Sequence, residues 1–293
     1  MTDAGERTVT AGDVLRTIVL STTDRLLDTQ PAAIRDEPDG VHQHRTTVRR
    51  LRSVLAGFRH HLDEPAALDL RVQFAEWGKQ LGVVRDFEVL AGVAEAALDD
   101  LGIDDRDIRT RLVEAERAEY ARAHARLVEL FDAPRSAARM AALEQFAADP
   151  STAATDDLPA EKLAKVARHE ARRVRKAAKR SDGSIDSLHT VRKAGRRLRY
   201  VAEALHDANS EVFGAEYERL ATAGEALHDA LGDHRDELIF TERLARARAQ
   251  AGRAGERVEY YDALIARSDE RAKTALSELD DALAEVRAAA DAI

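Results

Sequence analysis

The residues with the most chemical capacity in this sequence lie in two rows of cations at helical spacing. His42, Arg45, Arg49 and Arg52 stand at i, i+3, i+7 and i+10, positions that share one face of an α-helix. His189, Arg192, Arg196 and Arg199 repeat that spacing, with Lys193 beside them. A guanidinium offers five donors in a rigid fork and grips oxyanions bidentately, whereas an ammonium acts as a mobile point charge. An imidazole adds a donor that is charged below its ordinary pKa of about 6.5. The combination suits the holding of an oxyanion that recurs along a ligand. A solvated helix face normally mixes acids with bases, but residues 41–62 carry five arginines and no acid. Like charges therefore sit at i, i+4 and weaken the helix slightly. Either an external anion or acids from other elements must neutralise them. Asp86 and Asp236, which follow Arg85 and Arg235 at matching places, are candidates for the second role.

The two rows belong to a duplication. Residues 41–52 (VHQHRTTVRRLR) align without a gap on 188–199 (LHTVRKAGRRLR), and Leu81-Gly82-Val83-Val84-Arg85-Asp86 aligns on Leu231-Gly232-Asp233-His234-Arg235-Asp236. The offsets, 147 and 150 residues, are about half of the 293-residue chain.

Charge and composition narrow the classes of function. The net charge of −9 conceals a segregation: residues 161–199 carry fourteen Lys and Arg against four acids. Local potential acts on a ligand within roughly 8–10 Å, so that division matters more than the total. Aromatics are 4% of the chain, too few for extensive base stacking, which argues against nucleic acid as a partner. There is no cysteine, which excludes disulfides, thiolate metal sites and thiol nucleophiles. Met1 to Asp13 shows no apolar h-region and no apolar run approaches a membrane span, so a cytoplasmic protein is expected.

The elements that must position the rows are helices. Ala, Leu, Arg and Glu dominate, with only six prolines and fifteen glycines. The pattern predicts helices over about 10–28, 40–61, 66–81 and 83–100 in the first half and 159–180, 184–207, 211–231 and 233–252 in the second. Longer helical stretches follow, over about 104–131 with 134–147, and over 255–291. Breaks are expected at Pro31, Gly82 and Gly232 among others. On the first motif helix Val41, Val48, Leu51, Leu55 and Phe58 form an apolar stripe beside the cations; Leu188, Val191, Leu198, Val201 and Leu205 do so on the second. The 159–180 helix carries Lys165, His169, Arg172, Lys176 and Lys179 opposite Leu163, Ala167 and Val174, as a ligand face or a solvated one. The expectation is an all-α protein of two pseudo-twofold-related four-helix bundles with additional long helices. The repeats would span 1–148 and 159–293, joined by a linker at 149–158 and packed as one unit.

At these residues the sequence resembles the CHAD family, the conserved histidine α-helical domain. VHxxRxxxRRLR in one half and LHxxRKxxRRLRY in the other, each followed by LGxxRD, carry the likeness. The resemblance implies two four-helix halves with basic surface at their junction, binding of inorganic polyphosphate, and association with polyphosphate granules. Members are often fused to a CYTH triphosphatase domain; the chain has no ExExK signature and looks like a stand-alone version. By the motif, His42, Arg45, Arg49, Arg52, His189, Arg192, Lys193, Arg196 and Arg199 become ligand contacts, joined by Arg85, Arg172, Lys176 and Arg235. His44 and Thr46 are polar where the motif often has apolar residues, and Gly195 sits mid-helix, consistent with close helix packing.

Other classes remain to be weighed against this. A nucleic-acid or other polyanion binder shares the basic rows. A metal-dependent phosphate-processing protein needs acids beside the rows to hold a cation, and the stripes contain none. His42 and His44 lie about 200° apart on a helix, poorly placed for joint ligation. No HExxH or Gly-rich phosphate loop occurs, so no enzymatic activity and no cofactor are expected. A purely structural scaffold would leave the arginines to internal acids.

Overall fold

A computed structural model of the chain describes residues 9–150 and 155–293. The first residues of the N-terminal segment and the middle of the expected linker lie outside the described residues. Within them the protein is all helical, and the one β-type contact is a bridge between Thr10 and Pro159. That bridge, with Ala11 N–H donating to Leu158 O at 2.8 Å, ties the start of the second half to the start of the first.

α1 (Ala11–Ile34) opens on a capping box: Thr10 Oγ1 accepts from Asp13 N–H and the Asp13 carboxylate accepts from Thr10 N–H. Pro31 does not end it. The missing N–H falls in the last turn, where it removes one bond, and the helix runs on to Ile34. α2 (Gly40–Gly57) carries the first basic row and is followed by a 3-10 turn at Arg59–His61. α3 (Glu64–Asp100) is one helix of 37 residues where two were expected. α4 (Arg106–Arg109) passes through a π-helical stretch, Thr110–Glu114, into α5 (Ala115–Phe131), and α6 (Pro134–Ala148) closes the first half.

The second half repeats the order. α7 (Ala164–Arg180) leads to α8 (Ile185–Ala208), which carries the second row and is capped by Ser184. α9 (Ala215–Ala254) is again one helix, of 40 residues, replacing the expected pair. α10 (Glu259–Ser277) and α11 (Leu279–Asp291) part at Glu278, a break that no glycine or proline announces.

Gly82 and Gly232 therefore stand inside helices. A glycine there costs only about 1 kcal/mol relative to alanine, and the strong helix formers on either side outweigh it. Each half is thus two shorter helices feeding one long one, rather than four short helices.

The basic helices α2 and α8 pack against each other at the centre, with α1 on both, α3 on α2, and α7 and α9 on α8. The main core draws on both halves, joining Leu15, Leu51, Phe74 and Phe131 to Leu198, Leu205, Phe213 and Leu227. A second, smaller core lies where the far ends of α3 and α9 meet α4, the π-helical stretch and α10, around Leu98, Val113, Phe240, Leu244 and Tyr261. α3 and α9 run from one core to the other, and the matching Leu-Gly-x-x-Arg-Asp stretches lie between the two. No helix among the described residues is long and apolar enough to cross a membrane.

Candidate polyanion-binding site

The apolar stripes of α2 and α8 are buried as their spacing predicts, which leaves the cationic rows along the flank of the α2–α8 pair. Between the two cores this flank opens into a cleft of about 580 Å³. His42, Arg45 and Arg49 come to it from α2, Arg192 and Arg199 from α8, Arg85 from α3 and Arg235 from α9. The two mid-helix glycines help to shape it. A Cβ on Gly82 would touch the Arg45 guanidinium at 3.7 Å, and one on Gly232 would press on Arg192 Nη2 at 3.0 Å. Arg45 and Arg192, equivalent in the duplication, each lie over the matching glycine of a long helix.

A second cleft of about 250 Å³ adjoins the first and shares Arg49 with it. Arg52, Lys193 and Arg196 line it, together with Arg71, Arg173 and Arg197, and no acid does. The basic rows thus divide between two connected spaces, one of mixed charge and one wholly cationic.

Arg45, Arg49, Arg52, Arg192, Lys193, Arg196 and Arg235 make no ion pair among the described residues. Burial, then the neighbouring Arg49, pushes Arg45 down to about 10. The same two causes, with Arg192 next, bring Arg196 to about 10. Both groups stay protonated at neutral pH, so these shifts measure electrostatic stress rather than loss of charge. Arg192 and Arg52 are lowered as well, in each case by burial first. Arg49 Nε, Arg52 Nε, His42 Nδ1 and His189 Nδ1 are buried without a hydrogen-bond partner among the described residues. Asp86 and Asp236 attract Arg45 and Arg192 respectively, but neither carboxylate reaches ion-pair contact.

Other arginines of the motif are neutralised internally. Arg50 binds Glu203 and Asp207, both at 2.7 Å. Its equivalent, Arg197, takes the buried Glu170 carboxylate with both arms of its fork at 2.6 Å. These two hold the helices together, Arg50 joining α2 to α8 and Arg197 joining α8 to α7. Arg199, expected among the free cations, is paired with Glu203 at 2.6 Å and Glu225 at 2.8 Å. Arg85 is paired with Glu88 at 2.8 Å. Arg172 and Lys176 are exposed on α7 and line neither cleft; Arg173 is the α7 residue that reaches one.

Several residues escaped the sequence reading. Arg71 on α3 and Arg173 had no motif to point to them, although Glu170 on the apolar stripe of α7 signals a cation nearby. His228 is buried with Nδ1 unpartnered among the described residues, and its carbonyl accepts from Arg192 Nε at 3.2 Å. Burial, with Arg192, Arg196 and Arg49, keeps that imidazole neutral. Asp236, which the sequence offered as an internal counter-ion, joins Asp229 and Asp233, which it did not, in an acidic wall of the larger cleft on α9, and burial raises all three carboxyls. His44 is a core residue: its Nε2 accepts from Trp77 Nε1 at 3.3 Å and its Nδ1 donates to Thr29 Oγ1 at 3.1 Å.

A helical fold built on duplicated histidine–arginine helices defines a class, and comparison with known proteins gives that class its name. The family model of the CHAD domain matches residues 17–245, and the chain belongs to this family. Two uncharacterized proteins of Mycobacterium tuberculosis, from strains CDC 1551 and H37Rv, are each 27% identical over 279 residues. The match takes in 92% of this chain and 52% of theirs, so the chain spans about half the length of these relatives. The crystal structure of the CHAD domain from the plant Ricinus communis superposes with a TM-score of 0.72 at 22% identity, covering 100% of this chain and 96% of that one. PptA from Streptomyces chartreusis gives 0.75 at 18% identity, with 94% and 99% covered. At these identities the likeness concerns the fold alone.

Proposed function

We propose that the protein is a non-catalytic binder of inorganic polyphosphate, held along the α2–α8 flank where the two pseudo-twofold-related halves meet, and that it acts in the cytoplasm on polyphosphate granules. The reading rests on one observation above the others: Arg45, Arg49, Arg192 and Arg196 crowd together, half-buried, with no carboxylate in ion-pair contact among the described residues. Buried like charges without counterions are unfavourable in a ligand-free protein. A flexible thread carrying about one negative charge per phosphate would relieve the repulsion at repeated points and satisfy the orphaned Nε and Nδ1 atoms. Arg45, Arg49, Arg52, Arg192, Lys193, Arg196 and Arg235 are the contacts favoured here. The already paired Arg85 and Arg199 serve at the margin, and Arg172 and Lys176 only for a ligand that wraps round α7. His42 and His189 act as donors when protonated.

Calorimetric titration with medium-chain polyphosphate tests this. The wild type should bind saturably, and Arg49→Glu/Arg196→Glu should weaken binding by at least about tenfold. An unchanged affinity in that variant would leave the scaffold reading standing. Equal or better binding of single-stranded DNA in competition would favour a general polyanion role. Release of orthophosphate from polyphosphate with Mg²⁺ present would overturn the non-catalytic part.

A further inference from the structure

Away from the basic rows, on the other side of α3, lies a cleft of about 330 Å³ between α3 and α6. Its inner end is Arg139, a residue only 7% exposed. The guanidinium lies 4.5 Å from the Trp77 ring centroid and 5.5 Å from that of Phe74. Of its five donors, one is used among the described residues, Nη2 to Ser136 Oγ at 2.9 Å, and Nε is buried with no partner among them. No carboxylate pairs with it among the described residues. Stacking on aromatic faces offsets only part of what it costs to take an unpaired ion out of water. The packing alone does not balance this charge.

The duplication gives a second reason to regard the place as specialised. At the 150-residue offset, Phe74 and Trp77 correspond to Gly224 and Leu227. There the chain uses the small residue for a close helix crossing, since a Cβ on Gly224 would meet Arg199 N at 2.9 Å. The aromatic cradle for a guanidinium exists in the first half only.

We propose that the α3–α6 cleft is a separate binding site for a small amphiphilic molecule bearing one anionic group, a carboxylate or phosphate monoester. Arg139 and the exposed Arg135 receive the anion, with the amides of Gln73 and Gln80 beside them, and Val72, which is 62% exposed, offers an apolar contact. The volume is that of a small-molecule cleft rather than a groove for a polymer. Glu76 also lines it, its charge taken up by Lys79 at 2.7 Å, so this cleft is not wholly cationic as the second basic cleft is. The site is thus chemically distinct from the cationic rows and independent of what they bind.

Trp77 is the chain's single tryptophan, so intrinsic emission reports this cleft directly. Phenyl phosphate, titrated into the whole protein, should change that emission saturably. The Arg135→Glu variant, altered at an exposed position, should weaken half-saturation by about tenfold, the equivalent of one charge-assisted hydrogen bond. Arg139→Gln, once circular dichroism shows it folded, should abolish the response. Arg49→Glu/Arg196→Glu should leave it unmoved, which separates this site from polyphosphate binding. No saturation in the wild type overturns the proposal, as does an unaltered half-saturation in Arg135→Glu or in folded Arg139→Gln.

Discussion

Adjacent arginines in the second motif have opposite duties, and mutation separates them by sign. Arg197 closes on Glu170, whose side chain is 2% exposed. Truncating it leaves a buried carboxylate with Arg173 alone in ion-pair contact among the described residues, so Arg197→Ala should cost about 3 kcal/mol in chemical denaturation. Arg196 sits among Arg49, Arg192 and Arg52 with no acid in ion-pair contact among the described residues. Arg196→Gln removes repulsion and should raise ligand-free stability by about 1 kcal/mol, a Tm gain of about 2 °C. The reverse order of stabilities would show that the row is held by internal contacts after all. The histidines carry a further expectation at this scale. His42 is lowered by burial first and then by Arg85 and Arg49, against Asp39 and Glu88. His189 is lowered by burial and by Lys193, Arg235, Arg192 and Arg196. A bound polyanion favours the charged imidazole and so raises both pKa values. Affinity should therefore grow as pH falls below the ordinary value of about 6.5 and be flat above about 7.5. In isothermal titration at pH 5.5, 6.5 and 8, His42→Gln/His189→Gln should lose most of that dependence. What remains is expected from Glu170, which burial pushes up to about 7 and whose protonation lessens the negative charge beside Arg173 and Arg197 of the second cleft; burial raises Asp229, Asp233 and Asp236 too, and their protonation acts in the same direction.

At the scale of the helices, the glycines distinguish three local situations. Gly82 has ordinary room for a Cβ, so Gly82→Ala should gain up to about 1 kcal/mol from helix propensity. Gly232→Ala has the same propensity gain, but its methyl would displace the flexible end of Arg192 and weaken polyphosphate binding without unfolding the protein. Gly224→Ala drives a Cβ into the α8 backbone, Arg199 N at 2.9 Å and Gly195 O at 3.1 Å, and should destabilise by about 1–3 kcal/mol. Thermal denaturation of the three variants checks the order. These glycines also explain where the sequence misled. Read locally, Gly82 and Gly232 look like helix ends, because the signal of a glycine is the same for a terminus and for a close approach. Their purpose depends on Arg45 and Arg192, which lie over them from another helix and are about 40 residues distant in sequence. The helix type and the buried stripes of α2 and α8 were legible because a 3.6-residue period needs only near neighbours. The pairing of Arg199 with Glu203 at i+4 was legible in principle, yet the motif drew attention to the cations alone. Arg71 and Arg173 were not, since only the assembled bundle brings them to the rows.

For the whole molecule the balance lies between a net charge of −9 and a flank where seven of the expected ligand cations have no ion-pair partner among the described residues. Long-range repulsion from the acidic remainder is screened within about 8–10 Å at ordinary ionic strength, whereas the half-buried arginines keep their local potential. Binding should consequently be governed by the flank and by release of counterions from the ligand. For single-stranded polyanions each neutralised phosphate contributes roughly −0.7 to the slope of log affinity against log salt. Seven contacts give a slope of about −5, and Arg49→Gln/Arg196→Gln, leaving five, should bring it to about −3.5. The neutral substitutions remove charge without adding repulsion, so the change in slope counts contacts directly. Titrations between 50 and 300 mM NaCl measure both lines. A slope near zero would mean that affinity comes from something other than charge. A slope unaltered by the double substitution would move the ligand off the α2–α8 flank altogether.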